Sequence, residues 1–282
     1  MRITILLLFF VVGCSPRCSD AYLQRYAYVK EIREARKISH QKSLYPQMTG
    51  EEPFICVVLV EAPHLDYTSP ENFFETLHYG IFLPRHPTIG HAWILLKGIR
   101  DDQPYIAEFG HTGEFGLSAP RYFDEVVRRC YAHDPNPVQY FFSLLPDGQL
   151  QRGSGGHRPT LAVAFSITED QFRYVQRVVQ HYEFRYWGLQ GPHCVHLVRE
   201  CLSAIDIPIS CTETIQIPQW FTFRGKKLRL WSDDCFSAIS LATPDLLERS
   251  LFEKVRNGSA LLAMNWYRSF CREKDRAGSY VK

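Results

Sequence analysis

Gly90-His91-Ala92-Trp93-Ile94-Leu95-Leu96 runs into the link Gly98-Ile99-Arg100-Asp101-Asp102-Gln103-Pro104, and Tyr105-Ile106-Ala107-Glu108-Phe109-Gly110-His111 follows. Two apolar runs flank a turn-rich segment, a pattern that predicts a β-hairpin. If the turn centres near Asp101–Asp102, His91 falls opposite Gly110–Thr112. Either Glu108 or His111 then lies beside His91 on one sheet face. A one-residue slip in register exchanges the two.

Outward from the hairpin, the texture is that of an α+β domain. Phe54 to Val60 is a continuous β-branched run suited to a buried strand. Val138 to Leu145 and Leu161 to Ile167 read as further strands, with the Gly153-Ser154-Gly155-Gly156 loop between them. Glu71 to His78 reads as a short helix. Thr168-Glu169-Asp170-Gln171 is a capping box that marks a helix start, with Phe172, Val175, Val179 and Tyr182 on one face. After a loop over 183–192, a second helix runs from about His193 to Ile205 and ends at Asp206-Ile207-Pro208. Residues 211–282 read as a C-terminal extension packed on the domain, with a strand at Lys227 to Trp231 and helices near Pro244–Val255 and Ser259–Cys271.

The second helix carries the chemistry. At about 100° per residue, Cys194, Val198, Cys201 and Ile205 share one apolar face. Cys194 therefore sits in the first turn, facing the core. Backbone N–H groups at a helix start stabilise a thiolate and can hold an oxyanion. A thiol nucleophile needs a base, and His91 at the start of its strand is the candidate. Glu108 or His111 would orient it.

These residues resemble a family. Gly90-His91-Ala92-Trp93-Ile94, a turn, Ile106-Ala107-Glu108, and later Tyr186 through His193-Cys194-Val195-His196-Leu197-Val198 are similar to the permuted papain-like superfamily. This comprises the circularly permuted relatives of NlpC-type peptidases and includes lecithin retinol acyltransferase-like proteins. The His strand precedes the Cys helix, as in that family, and the resemblance covers about residues 53–210. It implies a circularly permuted papain-like fold, with an antiparallel sheet packed on the Cys helix. It implies that Cys194 attacks a carbonyl to form a thioester, His91 carries the proton, and Glu108 or His111 orients His91. The backbone N–H of Cys194 and the Gln190 side chain would hold the oxyanion, and Trp93 and Trp187 would either line a substrate groove or pack in the core. His193 stands where the family often has Asn.

The N-terminus speaks to location. Ile3 to Val12 is an apolar run too short to span a bilayer, which takes about 20 residues. It suits the h-region of a signal peptide. Val11-Val12-Gly13-Cys14-Ser15 resembles a bacterial lipobox, which implies cleavage before Cys14 and lipid on its sulfur. The expectation is a signal peptide over 1–13, a lipid-anchored tether over 14–52, and export to a bacterial cell-envelope membrane, on the outer-membrane, periplasmic or surface side. The expected partners are that membrane and a peptide, peptidoglycan or acyl substrate. The expected activity is hydrolysis of an amide or ester, with acyl transfer or lipid deacylation as variants of the same thioester chemistry. A non-catalytic lipoprotein module is the contrasting reading.

Other classes are weaker. Cys194 has His193 and His196 as neighbours, with His86, His91 and His111 elsewhere. On a helix, however, His193 and His196 diverge from the face of Cys194, so no metal site is expected, nor any other cofactor. Ser154 lacks a Gly-x-Ser-x-Gly context. With 22% charged residues and a net charge of +2, the chain is no electrostatic nucleic-acid binder, and Arg224, Lys226, Lys227 and Arg229 read as a solvated strand face. Of nine cysteines, Cys14 and Cys194 have assigned tasks. Cys18, Cys56, Cys130, Cys201, Cys211, Cys235 and Cys271 remain, and Cys56 and Cys201 fall on elements expected to be buried.

Overall fold

The computed structural model describes residue 31 and residues 45–67, 69–73, 89–113 and 118–276. The signal-peptide reading, Cys14, Cys18, His86 and most of the helix expected over 71–78 lie outside these residues. The fold is α+β. Strand β1 (Ile55–Glu61) is central, flanked by β2 (His91–Arg100) and β5 (Leu161–Ser166). Beyond β2 lie β3 (Gln103–Gly113) and β4 (Gly148–Arg152), and beyond β5 lies β10 (Leu261–Leu262). Every pairing in this six-stranded sheet is antiparallel.

The hairpin turn fixes the register. Asp101 and Asp102 both adopt positive φ, 52° and 58°, the two-residue geometry whose twist matches the flanking strands. Arg100 then pairs with Gln103, and the ladder runs to Trp93 opposite Gly110. Successive side chains alternate between sheet faces. Val57, Leu59, His91, Trp93, Leu95 and Glu108 share the first face. Cys56, Val58, Val60, Ala92, Ile94 and His111 share the second.

Helices close both faces. Helix α1 (Ser118–Tyr131) precedes β4. Helix α2 (Glu169–His181) starts at the capping box, with Thr168 accepting from the Gln171 amide and Gln171 returning the bond. It presses Phe172 onto the second face, where Gly98 leaves room for the ring. Helix α3 (Cys194–Ser203) lies on the same face against β2 and β3. Helix α4 (Pro244–Arg256) packs on β1 and β5. From α5 (Met264–Arg276), Tyr267 reaches Glu108 on the first face. Trp93, Phe172, Phe252 and Leu197 are fully buried, each stabilising by about 1.5–3 kcal/mol. Cys56 and Cys201 are buried thiols, as their elements implied.

Three boundaries differ from the sequence reading. The strand expected at Val138 to Leu145 is a 3-10 helix over Pro137–Phe142, because Pro137 supplies helical φ and no ladder N–H. Residues 45–52 are built into the sheet: Gln47 bridges Leu262, and Lys97 Nζ donates to the Gly50 and Glu52 carbonyls. The 211–282 segment supplies an edge strand, β10, to the main sheet. It also holds two small antiparallel pairs, β6 (Thr212–Gln216) with β9 (Ala238–Ala242) and β7 (Trp220–Phe223) with β8 (Lys226–Arg229).

Candidate active site

The start of α3 is built from the sequence outward. His193 is the N-cap, and its Nδ1 accepts from the Val195 amide at 3.2 Å. It thus does the capping work more often done by Ser, Thr, Asp or Asn. Cys194 is the first helical residue and is 7% exposed. Its Sγ lies 3.9 Å from His193 Nδ1 and faces the backbone amides of Ala92, Val195 and Cys194 itself. Those amides favour the thiolate, but burial outweighs them and pushes the thiol up to about 11.

His111 occupies the same sheet face and is completely buried. Its Nδ1 lies 3.1 Å from the Tyr182 hydroxyl, which also donates to the His193 carbonyl at 3.4 Å. Tyr182 thus ties the His111 ring to the backbone at the start of α3. The His111 Nε2 is buried and makes no hydrogen bond of normal geometry. Burial holds His111 down at about 4, against the Phe184 and Tyr186 carbonyls and Asp147, which favour a charged ring. Tyr182 also lies within electrostatic reach of Cys194. Thus Cys194, Tyr182, His193 and His111 form one connected group.

His91, the base expected from the sequence, lies within electrostatic reach of His111 and His193 but stacks on the other face of the sheet. The sulfur of Cys194 lies against Ala92, the next residue along β2, but alternation sends the two side chains to opposite faces. On its own face, His91 stacks on Trp93 at 5.6 Å and on His157 at 4.2 Å between ring centroids. Its Nε2 sits over Gly110, where an added Cβ would approach to 3.2 Å. No hydrogen bond reaches that nitrogen. Burial first, then the neighbouring His157 and His111, lower His91 to about 3. His157 Nδ1 bonds Glu61 at 2.6 Å.

Glu108 falls on the face of His91, but opposite Leu95. Its Oε1 accepts from Trp93 Nε1 at 2.8 Å and from the Tyr267 hydroxyl at 2.6 Å, so it orients those rings and not His91. Trp93 is therefore a core residue, not part of a groove. Trp187 is buried beside His193, 6.0 Å between centroids, at the edge of the Cys194 group. Gln190 is exposed in the loop before α3. Sequence reasoning missed the role of Tyr182, which shows in the sequence only as an apolar-face position, and missed the Glu61–His157 pair, which no spacing signals.

Among the described residues, no three His, Cys, Asp or Glu side chains converge as metal ligands do. A cleft of about 600 Å³ between α3 and α4, lined by Arg199, Cys211, Ser250 and Lys254, does not include Cys194 or His111. No family model, curated protein or solved structure matches the chain.

Proposed function

We propose that the chain is a cysteine hydrolase of the permuted papain-like type, with Cys194 as nucleophile and His111 as base, acting on an amide or ester bond. One observation carries this reading. Cys194 opens a helix with its sulfur against the Ala92 and Val195 amides, on the sheet face that also carries His111. In the reaction the sulfur bonds to the substrate carbonyl carbon as its proton passes to the His111 ring. The amides hold the oxyanion, and the leaving group departs with the proton. Water then cleaves the thioester. An alcohol or amine in its place would make the same site an acyltransferase.

The resting pair is neutral, thiol and imidazole, because burial disfavours both charges. Proton transfer is therefore coupled to attack and not completed beforehand. A peptide, peptidoglycan or acyl substrate at an exported, lipid-anchored enzyme fits the sequence expectations. Burial of Cys194 is the one observation favouring the contrasting reading, a non-catalytic scaffold.

An electrophilic thiol probe at neutral pH, with labelled sites read by peptide mass spectrometry, separates the two. Hydrolase chemistry gives labelling that vanishes in Cys194→Ala, falls at least tenfold in His111→Asn and stays within about twofold in His91→Gln. Labelling of Cys194 indifferent to His111→Asn would favour the scaffold.

A further inference from the structure

Residues 218–231, Pro-Gln-Trp-Phe-Thr-Phe-Arg-Gly-Lys-Lys-Leu-Arg-Leu-Trp, contain four cations and no acid. The chain's formal charge of +2, less these four, is −2. The segment folds as the β7–β8 hairpin. Arg224 and Gly225 form its tip with φ of 49° and 75°, and Gly225 has open space around it. One face is apolar: Phe223 and Leu228 are buried, and Phe221 and Phe223 pack on Phe123 of α1 at 6.1 and 6.2 Å. The cross-strand pairs Trp220–Arg229 and Thr222–Lys227 occupy the other face, and all four residues are exposed.

That outer face is organised. Lys227 Nζ and the Arg229 guanidinium lie over the Trp220 ring at 5.2 and 5.8 Å. Lys226, paired with Phe223, turns instead toward α1, where its Nζ lies over the exposed Tyr131 ring at 5.3 Å. Among the described residues, no carboxylate lies within ion-pair distance of Lys226, Lys227 or Arg229. The first acids after the hairpin, Asp233 and Asp234, lie past its end away from the tip.

We infer that this hairpin face docks on an anionic phospholipid surface, through the Lys227 and Arg229 charges and the exposed ring of Trp220. Indole rings settle at the level of lipid headgroups, and cations are drawn to the negative surface potential. Long basic side chains laid over aromatic rings present both properties at one depth. The inference does not depend on the activity proposed for Cys194.

The test is co-sedimentation of the full chain with neutral phosphatidylcholine vesicles and with vesicles containing about one-third phosphatidylserine. The neutral arm measures whatever the apolar N-terminal run contributes. Each cation near an anionic surface is worth about fivefold in partitioning at low salt. The wild type is expected to prefer anionic vesicles at low salt and to lose that preference at high salt. Lys227→Ala with Arg229→Ala should cut the anionic partitioning by about 25-fold and leave the neutral arm unchanged. Trp220→Ala should weaken binding while circular dichroism stays native. Equal partitioning on the two vesicle types overturns the inference. So does a folded double variant that keeps the anionic preference, or single-stranded RNA binding that depends on these residues without any vesicle preference.

Discussion

Lowering the pH from 7 to 5 should destabilise this protein markedly, because it buries neutral histidines. His91 titrates at about 3 and His111 at about 4 in the folded chain, against 6.5 ordinarily. Both folded values are depressed. Below 6.5 the unfolded chain therefore binds protons that the native chain refuses, and stability is lost as the pH falls. At pH 5, about 1.5 pH units below the ordinary value, each group costs about 2 kcal/mol, so the pair costs about 4. Asp245 opposes them. Burial raises its carboxyl to about 6 from 3.8, so its burden is relieved on acidification, which returns about 1 kcal/mol over this range. His193 and His196 are also depressed and add to the loss. For His91, His111 and Asp245 together the net expectation is about 3 kcal/mol, a large share of the 5–15 kcal/mol typical of a native domain. Urea unfolding followed by tryptophan fluorescence at both pH values measures it. In His91→Gln, about 2 kcal/mol of the difference should disappear. Equal unfolding midpoints at pH 5 and 7, with unchanged slopes, would show that these rings are not held neutral by burial.

Other outcomes follow from single contacts. Alkylation of Cys194 should rise about tenfold per pH unit up to about pH 10, starting about 100-fold below a thiol of pKa 9; a flat profile from pH 6 to 8 would mean a preformed thiolate–imidazolium pair. Gly98→Ala would set a Cβ 2.5 Å from the Phe172 ring, so a loss of about 1–3 kcal/mol is expected in thermal unfolding. Thr168→Ala removes the reciprocal cap of α2 and should cost about 1 kcal/mol in the same assay. Glu108→Ala leaves the buried Trp93 N–H without its acceptor, for about 1–3 kcal/mol, whereas Glu108→Gln keeps the oxygen and most of the stability; thiol labelling at Cys194 should be the same in both.

Local signals survived into the structure where they were short-range. The capping box at Thr168, the Asp101–Asp102 turn and the helix opening at Cys194 depend on residues a few positions apart, so their patterns are readable directly. The strand expected at Val138 to Leu145 failed for a local reason as well: Pro137 outweighed an apolar run. Residues 211–282 read as an appendage because nothing in Leu261–Leu262 announces that it pairs with Ala164 and Val163, some 97 positions earlier.

The sequence by itself determined that a cysteine opens a buried helix and that a histidine hairpin precedes it. It narrowed the companion of His91 to Glu108 or His111, because either register was open. Only the tertiary structure decided which histidine lies on the sheet face that the Cys194 helix covers. The positive-φ turn selects one register, strand alternation then sends His91 and His111 to opposite faces, and α3 can cover only one of them. That choice rests on the packing of Phe172, Cys201 and Tyr182 against the second face, contacts that no spacing along the chain encodes. It moves the proposed base from His91 to His111.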